Sequence, residues 1–301
     1  MRANKITVIG SSNTDMVIKA SKLPAPGETI LGGDFFMNPG GKGANQAVAA
    51  ARLGGNVSLV AKVGNDIFGQ QAKALFEADN INTKHLTIDP TYPSGIALIT
   101  VDQHGENCIV VASGANGSLT TKEIDDAKED ILQSNLILMQ LEIPLVTVEY
   151  ATEIASKAAI KVILNPAPAT KLSDSLLSKL YMITPNETEA ELISGIPVTD
   201  FASAETAARY LAYKGIRVIV ITMGSKGALV FNDNKAIIVS APKVEAVDTT
   251  AAGDVFNGAL AVAISEGLDL KEAVEFACKA ASISVTRMGA QASAPSRSEI
   301  S

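Results

Sequence analysis

Within this chain of 301 residues, a few short stretches combine residue types that could do chemistry. The sharpest is Asp248-Thr249-Thr250-Ala251-Ala252-Gly253-Asp254, a run of small residues ending on a carboxylate just before an apolar helical pattern, Val255–Ile264. Free backbone N–H groups at such a helix start, together with the helix dipole, would cradle an anion such as phosphate. An acidic residue in the first turn also stabilises a helix on its own account. That explains Asp254 but not the small residues before it. Asn13 and Asp15 lie two apart, so an extended segment points both to one side. Together they could hydrogen-bond neighbouring hydroxyls, or they could close an Asx turn. Lys42 and Asn45, three apart at a helix start, share a face. They follow Pro39-Gly40-Gly41, where backbone could approach a ligand closely; a loop leading into a capped helix would look the same.

Other chemistries lack their residues. The only histidines are His85 and His104, which rules out a His-rich metal site and leaves a Ser-His-Asp triad two candidates for its base. Neither stands beside a GxSxG elbow. Cys108 and Cys278 form no CxxC pair, so two part-buried thiols in a reducing compartment are expected. Gly41-Lys42 is followed by Gly43, not Ser or Thr, so this is no Walker A loop. No GxGxxG follows the first strand. With 25 Lys and Arg against 32 Asp and Glu, the net charge of −7 disfavours a general nucleic-acid binder. No stretch approaches the ~18 apolar residues of a membrane helix. The start, MRANKITVIG, reads as a polar lead into a strand and not as a signal peptide. A cytoplasmic protein is expected.

The elements that must position these residues follow an α/β rhythm. Strands are expected at Ile6–Ile9, Val57–Ala61, Leu136–Leu141, Lys161–Leu164, Met182–Thr184 and Val218–Thr222. Helices are expected at Asn45–Leu53, Asp66–Ala78, from Thr120 with Glu123 in a capping box, Val146–Ala158, from Glu187, Ser203–Tyr213, and from Ala252 and Leu270. This alternation predicts a mostly parallel sheet with helices on both faces. Two hairpins depart from it. One, Gly95–Val101 with Asn107–Ala112, turns over Asp102–Glu106; the other, Lys226–Ser240, turns at Asn232–Asn234. The whole chain, 1–301, is read as one α/β domain with a small sheet inserted at about 15–38 and 92–112. Only 13 aromatic residues, none of them Trp, leave an aliphatic core. Ligands bind beyond the carboxyl ends of parallel strands. There the sequence delivers Asn13 and Asp15, Glu142, Asn186-Glu187-Thr188-Glu189, and Gly224-Ser225-Lys226-Gly227.

Gly40-Gly41-Lys42-Gly43-Ala44-Asn45-Gln46-Ala47-Val48-Ala49-Ala50-Ala51-Arg52-Leu53-Gly54 resembles the N-terminal signature of the ribokinase (PfkB-type) family of carbohydrate kinases. Asp248–Asp254 with Val255-Phe256-Asn257-Gly258-Ala259 resembles its C-terminal signature. Asn186–Glu189 matches the family's NxxE motif and Thr222–Gly227 its TxGxxG. Asn13-Thr14-Asp15, Gly114-Ala115-Asn116, Asn165–Ala169 and Val285–Gln291 are similar to the ribose-phosphorylating members. Ala251 stands where most of the family has Gly, although those members accept Ala. Met288 replaces an expected polar residue.

The resemblance implies a three-layer sandwich with a β-sheet lid that excludes water from the site; such a lid exposes an apolar face, and burying it by pairing two lids predicts a homodimer. It implies ATP-dependent phosphorylation of D-ribose at O5. Asn13, Asp15, Gly41, Lys42, Asn45 and Glu142 match sugar-binding positions. Asp254 matches the catalytic base, and Ala251, Ala252 and Gly253 an anion hole. Asn186, Thr222, Gly224, Ser225, Lys226 and Gly227 match ATP contacts, and Glu189 a residue that helps hold Mg²⁺. Asp248, Thr250, Ser284, Arg287, Gly289 and Ser293 match a monovalent-cation site, usually filled by K⁺ and built largely of carbonyls. Two other readings use the same fold: a kinase of another sugar or a nucleoside, such as fructose or an adenosine-like acceptor, and a non-catalytic sugar sensor. Whatever the acceptor, the dipole at the start of a helix should favour the charged form of Asp254 and weaken it as a base.

Overall fold

Strand residues alternate between two buried clusters, which sets the layering. Ile6 and Val8 of β1 (Lys5–Ile9) pack into one cluster and Ile9 into the other. β8 (Leu136–Met139) and β11 (Val218–Thr222) divide their side chains the same way. Both faces are therefore apolar, as in a parallel sheet covered on both sides. The computed structural model describes residues 4–104 and 106–300. Met1–Ala3 of the polar lead, Gly105 of the first hairpin turn and Ser301 lie outside the described residues.

Nine strands form the main sheet. The order from one edge is β13 (Lys235–Val239), β12 (Ala228–Asn232), β11, β10 (Met182–Ile183), β9 (Lys161–Leu164), β8, β1, β4 (Asn56–Gly64) and β5 (Asn82–Asp89). All pairings are parallel except the last two at the β13 edge. The second hairpin thus extends the main sheet as an antiparallel border. β5 has no counterpart in the sequence reading. Its mixed polar pattern suits an edge strand, covered less than the central ones.

One face carries α1 (Lys42–Arg52), α9 (Ala252–Glu266) and α10 (Leu270–Ser284), with α2 (Ile67–Ala78) beside them. The other carries α3 (Thr121–Asp126), α4 (Lys128–Leu132), α5 (Leu145–Lys157), α6 (Asp174–Leu177), α7 (Glu187–Ser194) and α8 (Phe201–Tyr213). Thr120 and Glu123 form the expected capping box.

A separate four-stranded sheet has the order β3 (Phe35–Gly40), β2 (Asn13–Lys19), β6 (Gly95–Val101), β7 (Asn107–Ala112). Asp15, Ala97 and Val111 are cross-strand partners on one face. Met37, Met16, Leu98 and Val110 form the adjacent row, on the opposite face. Cys108 is exposed on β7 and only Cys278 is buried, so the expectation of two part-buried thiols fails for the outer strand. Met288 is exposed, facing outward.

Candidate active site

The chain turns from β1 into β2 beside the start of α1, and that junction builds the first cluster. Gly41, at φ 89°, caps α1 without a side chain. A Cβ there would fall 2.6 Å from the Asn13 backbone nitrogen, so only glycine lets the two segments touch. The first amides of α1 are capped from elsewhere. Glu142, just after β8, accepts from the Lys42 N–H at 3.0 Å and from the Ser11 hydroxyl at 2.5 Å. That hydroxyl in turn accepts from the Gly43 N–H at 3.3 Å. Asn116 holds the Ser12 backbone by two bonds and donates to Asn13 Oδ1 at 2.7 Å. These contacts gather Asn13, Asp15, Gly41, Lys42, Asn45 and Glu142 beside Asp254.

The cluster is electrostatically tense. Burial, then Glu142 and Asp254, push the Asp15 carboxyl up to about 6. Burial works against the Lys42 ammonium, but Asp254, Glu142, Glu189 and Asp15 outweigh it and hold its pKa above the ordinary lysine value.

Asp254 stands on the first turn of α9 and is only 5% exposed. Asn45 donates to its Oδ2 at 3.0 Å and Gln46 to its Oδ1 at 2.9 Å. Burial raises its pKa, while Lys42 and the two amides favour the charged form. The helix start was expected to weaken this base; desolvation dominates and moves it the other way. Gln46 was not among the residues singled out from the sequence, since an amide inside an Ala-rich helical run looks like an ordinary helix former.

The approach to α9 is strained. Ala251 takes the left-handed conformation at φ 59° and caps α9 with no side-chain bond. The Ala252 N–H reaches Thr249 O at 3.2 Å, and the first intrahelical bond is Val255 N–H to Ala251 O. The N–H groups of Gly253 and Asp254 therefore have no intrahelical acceptor. Above Gly253 there is open space. Within the expected cradle at Ala251–Gly253, only the Ala252 N–H is taken up by a backbone carbonyl.

Asn186 and Glu189 bind each other. Asn186 Oδ1 accepts from the Glu189 N–H at 2.8 Å, and Glu189 Oε2 accepts from the Asn186 N–H at 2.9 Å. This capping box starts α7. Burial raises the Glu189 pKa, and the Asn186 N–H and Lys42 oppose it. Asn186 bridges to Thr222 at the end of β11, which brings the turn Gly224–Lys226 alongside. Gly224, Ser225 and Lys226 are exposed there, and Gly227 is buried behind them.

Asp248 joins two loops, accepting from the Thr250 N–H and the Gly289 N–H at 2.9 Å each. Those bonds outweigh its desolvation and hold its pKa below the ordinary value. The Ser284 and Ser293 hydroxyls bond to carbonyls of their own turns, and Arg287 pairs with Glu299. Of the six positions matched to a cation site, Asp248 supplies the one carboxylate, and both of its oxygens already accept backbone N–H bonds. Among the described residues, no three His, Cys, Asp or Glu side chains converge on a metal position. Glu189 alone fits Mg²⁺ only as an ion carried mainly by phosphates.

A model described as pfkB family carbohydrate kinase matches residues 3–297, so this chain belongs to that family and is a carbohydrate kinase. The resemblance read from the two signatures thus holds over nearly the whole chain. Among individual proteins, ribokinase of Haemophilus influenzae is 47% identical over 294 residues, 98% of this chain and 96% of that protein. Deoxyribokinase of Salmonella typhi is 42% identical over 292 residues, 97% and 95% of the two chains. The structure of Arabidopsis thaliana ribokinase complexed with ribose and ATP matches with a TM-score of 0.92 at 31% identity, covering 99% of this chain and 97% of that one.

Proposed function

We propose that this kinase transfers the γ-phosphoryl group of ATP to O5 of D-ribose. The observation that carries the reading is the position of Asp254: a buried carboxylate on the first turn of α9, between the polar cluster at Lys42 and Asn45 and the unclaimed backbone N–H groups at the start of that helix. The sugar hydroxyls would be held by Asn13, Asp15, Lys42, Asn45 and Glu142, with Gly41 letting the backbone come close. ATP would lie along Asn186 and the turn Thr222–Gly227.

Asp254 would accept the O5 proton as O5 bonds to the γ-phosphorus. The bond from phosphorus to the bridging oxygen breaks, and ADP leaves with that electron pair. The transition state is loose, so the proton moves late and a carboxylate suffices as base. The N–H groups at the start of α9 would stabilise the charge gathering on the equatorial oxygens. Bound Mg²⁺, near Glu189, would supply charge neutralisation to the phosphates. Asp248, Thr250, Ser284, Arg287, Gly289 and Ser293 would hold K⁺, mostly through carbonyls, and so keep the loop before α9 in shape.

The small sheet, with Asp15 on its inner face, would close over the sugar and exclude water, which could otherwise take the phosphoryl group. Its outer row of Met37, Leu98 and Val110, each half or more exposed, supports a homodimer of paired lids. Both cysteines are free, which suits the cytoplasm. No helix among the described residues is long and apolar enough to cross a membrane.

The test is ADP release against a panel of ribose, 2-deoxyribose, fructose and a nucleoside, with and without K⁺. Turnover led by ribose is the expected outcome. Turnover led by 2-deoxyribose would favour the deoxyribokinase-like reading that the second relative supports. Binding without turnover would favour a sensor. Asp254→Asn should lose at least ~10²-fold in kcat with KM little changed; near-normal kcat sinks the base assignment.

A further inference from the structure

Asp254 is held by two amides with different prospects once the sugar arrives. Asn45 is a proposed sugar contact, so its bond to Oδ2 is shared with the substrate. Gln46 is fully buried, and its bond to Oδ1 is dedicated to the carboxylate. A chain of amides fixes which end of Gln46 faces Asp254. The Thr184 carbonyl can only accept, so Asn165 must present Nδ2 to it, at 3.2 Å. Asn165 Oδ1 then faces Gln46, which must answer with Nε2, at 3.1 Å. From the other side, Gln140 Nε2 donates to Gln46 Oε1 at 2.5 Å, and Gln140 is also fully buried. Turning the Gln46 amide over would break three bonds and set its oxygen against the Asp254 carboxylate.

We infer that Gln46, oriented by Asn165 and Gln140, is a positioning residue that fixes Oδ1 of Asp254 and leaves Oδ2 for the acceptor hydroxyl. This rests on the reading of Asp254 as the base. The physical purpose is twofold. A desolvated carboxylate without fixed donors would rotate and take up a proton, and both events remove the base. The charged groups facing Asp254 are Lys42 on α1, Asp15 on β2, Glu142 after β8 and Glu189 on α7. All four stay in place when Gln46 is changed.

The experiment compares the full-length enzyme with Gln46→Met and Gln140→Met, reading kcat and KM for the sugar and the Asp254 carboxyl titration by ¹³C NMR, assigned with Asp254→Asn. For Gln46→Met we expect kcat to fall by about 10- to 100-fold with KM within about threefold. The Asp254 titration should move up by about one pH unit, the scale of one hydrogen bond to a charged group. Gln140→Met should move both readings in the same direction by less, and it carries the test if Gln46→Met does not fold. An unmoved Asp254 titration, or a loss confined to KM, overturns the proposal. The carboxyl titration needs no turnover, so it separates this failure from that of the base assignment, which rests on the kcat of Asp254→Asn.

Discussion

Asp15 shows how the site holds charge at the cost of stability. Its pKa of about 6 in the fold exceeds the ordinary 3.8. The folded state therefore favours the protonated form. The stability that this contributes is present below the ordinary value and is lost as pH rises through about 6. At pH 8, without sugar, Asp15→Asn should melt at a higher temperature than the parent in differential scanning calorimetry. If the ionised carboxylate accepts sugar hydroxyls, kcat/KM for the sugar should fall as pH drops through about 6. The same variant should flatten that limb and raise KM. A lower melting temperature for Asp15→Asn would mean that its carboxylate is stabilised by contacts and not strained by burial.

Among the elements, the pairing of α1 with α9 is what makes the site. Asn45 and Gln46 reach Asp254 only because the two helices lie in close contact. Gly258 permits this: a Cβ there would meet the Gln46 carbonyl oxygen at 2.7 Å and Ala49 Cβ at 2.8 Å. Ala50 N lies 2.9 Å from the same position, so the backbone of α1 itself closes the seam. Gly258→Ala should force the helices apart, costing about 1–3 kcal/mol in chemical denaturation and lowering kcat by lengthening the bonds to Asp254. Full activity and stability in that variant would show that the seam can yield. The capping box of Asn186 and Glu189 does comparable work at α7. It explains both residues structurally, yet Glu189 Oε1 has no hydrogen-bond partner among the described residues.

For the whole molecule, the small sheet has one row facing the site and one facing out. The inner row includes Asp15; the outer row of Met37, Leu98 and Val110 is left uncovered by the main sheet. If two lids pair there, a charge on that face must be buried unpaired on association. Val110→Asp together with Leu98→Asp should therefore sediment as a monomer at micromolar concentration while the parent sediments as a dimer. A dimer that survives both substitutions would reject lid-to-lid pairing.

How far the chain could be read without coordinates followed the range of each interaction. Strand and helix periods, the cap at Thr120 and the small-residue run before Asp254 are local patterns, legible from neighbours a few positions apart. They determined the α/β class, most elements and the stretches facing one sheet edge. β5 was not legible because its edge position leaves it without a clean apolar alternation. The hairpin Ala228–Val239 was legible as a hairpin, but only strand pairing decided that it borders the main sheet. Gln46 gave no signal, since its partner Asp254 is 208 positions away. The basicity of Asp254 was misjudged for the same reason. The helix start beside it is written in the sequence, but the desolvation that overrides it, against the opposing pull of Lys42, Asn45 and Gln46, comes from burial of the carboxylate where α9 packs on α1, and only the tertiary structure brings those helices together.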